Sequence, residues 1–368
     1  MVRRTSPVMR RIVVPALLAL IGLLAVPALA DRPAAEPAGR QTGSFSPPDL
    51  PTLKYVLYVP TAVAAKPHKK APLLVYLHGC NQNAADAATG SRLEQLAEEK
   101  GLLVLFPEQT RPVGSTAPLT DGNGSGCWNW FLPDHQSRDR GEPGTIAALT
   151  RDVAGRFAVD DNRIWLGGVS AGADMATILA ATYPDLYAAV APIAGCAYLT
   201  CTDVSGVAAH RAMDKRARVV PALVVQGSAD MVNNAAMGST AVAQWLGTND
   251  LADDGQANGS VPKTPSSVVN RDAERGTASG DPCIGNSRLP CLGGVLGLKS
   301  YPTTVLRYDD RDGRSVVEVL VIHGANHAYT GGNPAAYDDK GTKATFVDPV
   351  GPDLAHAMYD FFRAHSRT

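Results

Sequence analysis

The chain has 368 residues, with 34 Lys plus Arg against 35 Asp plus Glu, for a formal net charge of −1. At 45% apolar and 19% charged residues it is too apolar for a disordered chain and has ample material for a core. The charge balance leaves no basic excess to recruit nucleic acid by counterion release, and 27 Pro with 35 Gly favour turns and loops over a helical bundle.

At the N-terminus Arg3, Arg4, Arg10 and Arg11 precede an apolar run from Ile12 to Leu24, and Ala28-Leu29-Ala30 is a small-x-small cleavage site before Asp31. Residues 1–30 therefore read as a secretory signal peptide, with an apolar run too short for a stable membrane anchor. The chain is expected outside the cytoplasm, in the medium or the periplasm. Arg10-Arg11 ahead of Val13 and Val14 leaves general and twin-arginine export both open. Removal of this segment leaves 30 basic and 35 acidic side chains. Residues 31–51, rich in Pro, Ala and Gly, read as a disordered lead-in, and 52–368 as one domain.

Lys54 to Val59 alternates like an edge strand, and Leu73 to Leu77 reads as a buried strand. Ser91 starts a helix, with Glu94 at the reciprocal capping position and Gly101 as its stop. Leu102 to Phe106 is the next buried strand, completing the strand–helix–strand unit of a parallel sheet. Residues 110–143 form a long loop, unusual unless functional or pinned. A helix follows over Thr145 to Phe157, then a strand at Arg163 to Leu166 and a helix over Ala173 to Thr182. Strands are expected at Tyr187 to Ile193 and Val219 to Val225, and a helix over Ala235 to Leu246. Residues 247–300 read as an irregular insertion, followed by strands at Thr304 to Tyr308 and Val316 to Ile322. The last helix opens at Gly351-Pro352-Asp353 with Pro in its first turn, and Leu354, Met358, Phe361 and Phe362 form one buried stripe. The alternation describes a single α/β domain with a mostly parallel sheet and no separate C-terminal binding module.

Six cysteines are present: Cys80, Cys127, Cys196, Cys201, Cys283 and Cys291. An even count in an exported chain suggests disulfides, of which 15 connectivities are possible. Short loops favour Cys196–Cys201 and Cys283–Cys291, leaving Cys80–Cys127. No spacing is C-x-x-C, so no metal site is expected.

Gly168-Val169-Ser170-Ala171-Gly172 lies between a strand and a helix, the context that makes G-x-S-x-G a nucleophile elbow. Its sharp turn demands small neighbours, which Gly168, Ala171, Gly172 and Ala173 supply. In this order of elements the acid and the base follow on loops after later strands. Asp230 follows the strand ending at Val225, and His327 follows the strand ending at Ile322. His327 would take the Ser170 proton while Asp230 fixes its tautomer. His323 is the rival base, but it sits at the strand end; Asp203 and Asp309 are weaker rival acids. An oxyanion needs two backbone N–H donors. Ala171 is one candidate, and Cys80 in Leu77-His78-Gly79-Cys80 is the other. A Cys80–Cys127 bridge would bring Trp128 and Trp130 beside the site, as a pocket wall or as ordinary core.

The run Leu77-His78-Gly79-Cys80-Asn81-Gln82, Cys127-Trp128-Asn129-Trp130-Phe131, Gly141-Glu142, the Ser170 elbow, Asn326-His327-Ala328-Tyr329, Asp348-Pro349 and Gly351-Pro352-Asp353, in this order, resembles the secreted polyhydroxybutyrate depolymerase-type esterases. These include feruloyl and acetylxylan esterases. The resemblance runs from about Tyr55 to His365. It implies an α/β-hydrolase fold and a Ser–His–Asp esterase without a cofactor, with Ser170, Asp230, His327 and the Cys80 donor at matching positions. The sequence departs from the family in four places. Gly172-Ala173-Asp174 stands where Gly-Gly-Ala is common, and Tyr329 stands where Trp is usual. Residues 247–300 are long, and no polymer-binding module follows.

The leading expectation is an exported serine esterase acting on a hydroxyalkanoate polyester or its oligomers, with Trp128, Trp130 and Tyr329 as candidate substrate contacts. Feruloyl or acetylxylan ester cleavage is the alternative. A peptidase of the same fold and a non-catalytic envelope binding protein are the further readings. The expected partner is an ester substrate alone, with neither nucleic acid nor membrane.

Overall fold

The computed structural model describes residues 1, 37–110, 125–276, 297–333 and 346–367; apart from Met1 these belong to the unit Ala35–Thr368. Its strands are β1 (Gly39–Phe45), β2 (Leu53–Val59), β3 (Ala71–Leu77), β4 (Leu103–Glu108), β5 (Val159–Val169), β6 (Ala189–Ile193), β7 (Ala222–Gly227), β8 (Ser267–Arg271), β9 (Glu274–Arg275), β10 (Leu298–Ser300), β11 (Thr303–Asp309), β12 (Ser315–Ile322), β13 (Tyr329–Thr330) and β14 (Val347–Asp348). The helices are α1 (Thr61–Ala64), α2 (Ala84–Gly90), α3 (Leu93–Lys100), α4 (Gly141–Arg156), α5 (Ala171–Thr182), the one-turn α6 (Tyr198–Cys201), α7 (Val207–Met213), α8 (Ala235–Asp254) and α9 (Leu354–Arg363).

Ten strands form one sheet in the order β1-β2-β4-β3-β5-β6-β7-β12-β11-β8. The stretch from β4 to β12 is parallel; β1, β2, β11 and β8 are joined antiparallel at the two edges. The parallel strands are covered on both faces, which is why β3 and β6 are apolar without alternation and buried along their whole length. On one face Ile146, Leu149 and Val153 of α4, Met175 and Leu179 of α5 and Trp245 of α8 pack in a single core. On the other, Leu93 and Leu96 of α3 meet Leu354, Met358, Phe361 and Phe362 of α9, the stripe read from the sequence.

Several elements depart from expectation. Residues 39–45, placed in a disordered lead-in, form β1, which pairs with β2 from Gly39↔Val59 to Phe45↔Leu53. Their alternating burial is the signature that the surrounding Pro and Gly obscured. Ser91 is not a helix start. Asn83 caps α2 in a reciprocal box with Asp86, Ser91 closes that helix, and α3 begins after Arg92 in a left-handed conformation. The helix expected to end at Leu246 runs on to Asp254, capped by Gly255, so the insertion at 247–300 contains its last two turns. The insertion also supplies β8, which adds an edge strand beside β11. Pro352 precedes the last helix, which Asp353 caps by accepting from His356 N–H at 3.1 Å. Cys283, Cys291 and the signal segment lie outside the described residues. The other two bridges, Cys80–Cys127 and Cys196–Cys201, form as expected.

Candidate active site

Between β5 and α5 the chain turns at Ser170, with φ 57° and ψ −127°. Such a conformation costs a non-glycine residue on the order of 1–3 kcal/mol and persists only when its surroundings hold it. Here Ser170 N–H donates to Ile193 O at 2.9 Å, and Ser170 O accepts from Ala173 N–H at 2.8 Å and Asp174 N–H at 3.1 Å. The turn also requires that α5 approach β3 closely: a Cβ on Gly172 would stand 2.3 Å from Leu77 O. The elbow is therefore set by small residues and by main-chain bonds to the next strand.

Because β7 and β12 are adjacent and parallel, their following loops leave the same edge of the sheet. Those loops carry Asp230 and His327. They touch at Gly227, where a Cβ would lie 2.5 Å from Ala325 O. His327 Nδ1 is 2.8 Å from Asp230 Oδ2, and His327 Nε2 is 2.9 Å from Ser170 Oγ. The second Asp230 oxygen accepts from Val232 N–H at 2.8 Å and Asn233 N–H at 2.9 Å. Asn233 in turn donates through Nδ2 to Ala194 O, tying the acid loop to the end of β6. An Nδ1–H directed to the carboxylate would leave Nε2 as an acceptor facing the serine hydroxyl. Asp230 is 4% and His327 6% exposed. The Phe346 ring stands edge-on to the imidazole at 5.8 Å.

On the other side of Ser170 lies the His78-Gly79-Cys80 loop. A Cβ on Gly79 would stand 3.3 Å from Ser170 Cβ, so this backbone packs directly against the serine. Gly79 N–H donates to Gln82 Oε1 at 2.8 Å. The Cys80–Cys127 bridge joins the loop to the Cys127–Phe131 segment. Trp128 Nε1–H donates to His78 O at 3.0 Å. Behind this contact the buried Glu142 carboxylate accepts from Asn129 N–H at 2.7 Å, Asn129 Nδ2 at 3.0 Å and Gln109 Nε2 at 3.3 Å, and its Oε2 lies 3.2 Å from His135 Nδ1. Ala171 opens α5 directly after Ser170, and Cys80 follows Gly79 in the loop packed against the serine.

The expected aromatic contacts fare differently. Trp128 has no exposed surface and belongs to the core. Its indole N–H supports the Gly79 loop through His78 O. Tyr329 is 2% exposed and packs edge-on against Tyr76 at 6.0 Å, so it too is core; burial pushes its hydroxyl well above the ordinary tyrosine value. Trp130 is half-buried, edge-on to the exposed Phe131 at 5.8 Å, and is the least buried of the three. His323 turns away to Thr304 Oγ1 at 2.8 Å, and Asp203 accepts from Ala209 N–H, both in other surroundings. Sequence reasoning passed over Glu142 as a support, although its motif was quoted, and missed Asn233 and Phe346 altogether. Asp174, the departure from the family pattern, is buried at 5% exposure; burial pushes its carboxyl up to about 7, against one N–H bond from Cys196 at 2.8 Å.

Residues 53–259 match the family described as esterase PHB depolymerase. The chain belongs to this family. The match includes Ser170 and Asp230 and ends before His327. Poly(3-hydroxyalkanoate) depolymerase C of Paucimonas lemoignei is 35% identical over 153 residues, 42% of this chain and 34% of that protein. A probable acetylxylan esterase A of Aspergillus fumigatus is 30% identical over 172 residues, 45% of this chain and 42% of that protein. The alignments thus span less than half the length of these relatives. An acetyl xylan esterase structure from Aspergillus awamori superposes with a TM-score of 0.54 at 17% identity, covering 78% of this chain and 94% of that one. At that identity the likeness is one of fold, and the fold is that of the α/β-hydrolases.

Proposed function

We propose that this chain is an exported serine esterase that hydrolyses carboxylic esters of a hydroxyalkanoate polyester or its oligomers. In this reading Ser170 Oγ attacks the ester carbonyl as His327 Nε2 takes its proton. The N–H groups of Ala171 and Cys80 receive the oxyanion. The imidazolium returns the proton to the leaving alkoxide, and the acyl group stays on Ser170. Water, deprotonated by the same imidazole, then releases the acid and restores the serine. Asp230 holds the imidazole in the tautomer that makes both transfers possible.

The observation that carries the reading is the continuous Ser170–His327–Asp230 chain of 2.9 and 2.8 Å contacts on a strained turn. The depolymerase named among the relatives supports a polyester substrate. The acetylxylan esterase relative keeps plant-wall esters as the second reading. The test is hydrolysis of p-nitrophenyl esters, hydroxybutyrate oligomers, methyl ferulate and acetylated xylan, beside Ser170→Ala. Turnover of the oligomers that vanishes in the variant is expected. Preference for xylan acetate or ferulate would move the substrate to the plant wall. Absence of turnover on every ester by the folded chain would overturn the esterase reading.

A further inference from the structure

One cavity of about 670 Å³ is walled by α8 and by the sheet face it packs on, and neither Ser170 nor His327 lines it. On α8 the lining residues Gly238, Val242, Leu246 and Asp250 recur at every fourth position. They make one stripe running about 18 Å along the helix. Opposite it stand Val224 and Gln226 of β7, Val319 and Val321 of β12, and Leu306 and Tyr308 of β11. The walls are apolar, and the polar chemistry sits near the two ends of the stripe.

Near the Gly238 end is Gln226, only 5% exposed. Its Nε2 donates to Gly227 O at 3.0 Å and to Asn233 O at 2.7 Å. Its Oε1, which a Cβ on Gly238 would approach to 2.7 Å, is buried without a hydrogen-bond partner among the described residues. A buried acceptor left unpaired is costly, and a donor such as a ligand hydroxyl relieves it. Near the Asp250 end is the exposed Lys263, which has no ion-pair partner among the described residues. The Asp250 carboxylate at the same end is already engaged by Gly259 N–H at 3.1 Å, Val261 N–H at 3.1 Å and Ser260 Oγ at 2.9 Å. Lys263 is therefore the charge left for an anion.

From an acceptor at one end, a cation at the other and an apolar slot between, we infer that this groove is a second ligand site for a linear, apolar chain ending in a hydroxyl and a carboxylate. A free hydroxyalkanoate oligomer has those two ends. Choosing the oligomer over another hydroxy acid rests on the polyester reading above, whereas the chemistry of the groove does not. The hydroxyl donates to Gln226 Oε1, the chain lies along Val242 and Leu246, and the carboxylate pairs with Lys263.

The test uses the full chain carrying Ser170→Ala and calorimetric titration with the linear tetramer of 3-hydroxybutyric acid. Parallel arms use its methyl ester, its hydroxyl-acetylated form, and an ω-hydroxy fatty acid of similar length. Saturable binding of the tetramer is expected, weakened roughly fivefold by capping either end and by Lys263→Glu, and abolished by Val242→Trp, which fills the slot. A photoreactive tetramer should label peptides of α8 and β12. Equal binding of the hydroxy fatty acid would support the site and widen its ligand to hydroxy acids in general. Binding indifferent to both substitutions, labelling confined to peptides around Ser170 and His327, or no binding at all would overturn the inference. Hydrolysis by the unsubstituted chain is read separately, so turnover without groove binding sinks this site alone. Groove binding without turnover sinks the esterase reading alone.

Discussion

The two sides of Ser170 are built by different means. On the side proposed for acid–base chemistry, the loops after β7 and β12 are held by the sheet itself. The strands are parallel neighbours, Gly227 lets the loops touch, and main-chain N–H groups of Val232 and Asn233 fix the Asp230 carboxylate. On the side proposed for the oxyanion, the Gly79 loop is held by side chains from later in the chain. These are a disulfide to Cys127, an indole N–H from Trp128 and the buried Glu142 that organises Asn129. The first arrangement comes with the sheet topology. The second depends on a few buried polar groups, each of which leaves its partners unsatisfied when removed. The acid–base side should therefore fail by losing chemistry, and the oxyanion side by losing stability and chemistry together.

The largest effects belong to the triad. Ser170→Ala and His327→Ala should each lower kcat by at least ~10³-fold, and Asp230→Asn by about 10⁴-fold, the scale of a wrong imidazole tautomer. All three should unfold at close to the parent temperature; a large fall in Tm would erase the contrast between the two sides. Next comes the support of the oxyanion loop. Cys127→Ser should cost about 2–4 kcal/mol of stability in denaturant melts. Glu142→Gln should cost about 3 kcal/mol and lower kcat roughly 10- to 100-fold, with the pH profile of kcat/KM unmoved because the acid–base pair is untouched. A displaced profile would mean that the two sides are coupled.

Asp174 offers a sharper probe of pH. Its folded value of about 7 lies above the ordinary 3.8, so the folded state holds this proton more tightly than the unfolded chain. Its ionisation costs nothing below about pH 4, a growing amount between pH 4 and 7, and its full amount, on the order of 4 kcal/mol, above pH 7. Asp174→Asn, which cannot ionise, should therefore gain in Tm relative to the parent as pH rises from 5 to 8. A gap independent of pH would show that burial does not hold the proton there. The smallest effect is expected for Trp128→Phe. It keeps the ring in the core but loses the N–H to His78 O, at about 1 kcal/mol, and a loss of substrate affinity without loss of stability would return Trp128 to the pocket wall.

The contrast also explains what was legible in the sequence. Ser170, Asp230 and His327 could be read because each follows a buried strand whose apolar run marks where the loop begins. Cys80 and Cys127 were legible as a pair by elimination among loop lengths. The burial of Trp128 and Tyr329 was not, since the same aromatic residue suits a pocket wall and a core, and only long-range packing decides which. β1 was hidden for a related reason: its seven residues carry few large apolar side chains, and pairing with β2 is what makes them a strand. Asn233 and Phe346 carry no local motif, and their roles arise where separate loops meet.

The central claim is that Ser170 forms the acyl-enzyme. It is tested most directly by rapid mixing of the purified chain with excess p-nitrophenyl acetate, followed by acid quench and peptide mass analysis. The account predicts a burst of p-nitrophenol close to one equivalent, one acetyl group on the peptide that contains Ser170, and loss of both in His327→Ala. Turnover with no acetylated Ser170 peptide, or acetylation at another residue, would contradict it.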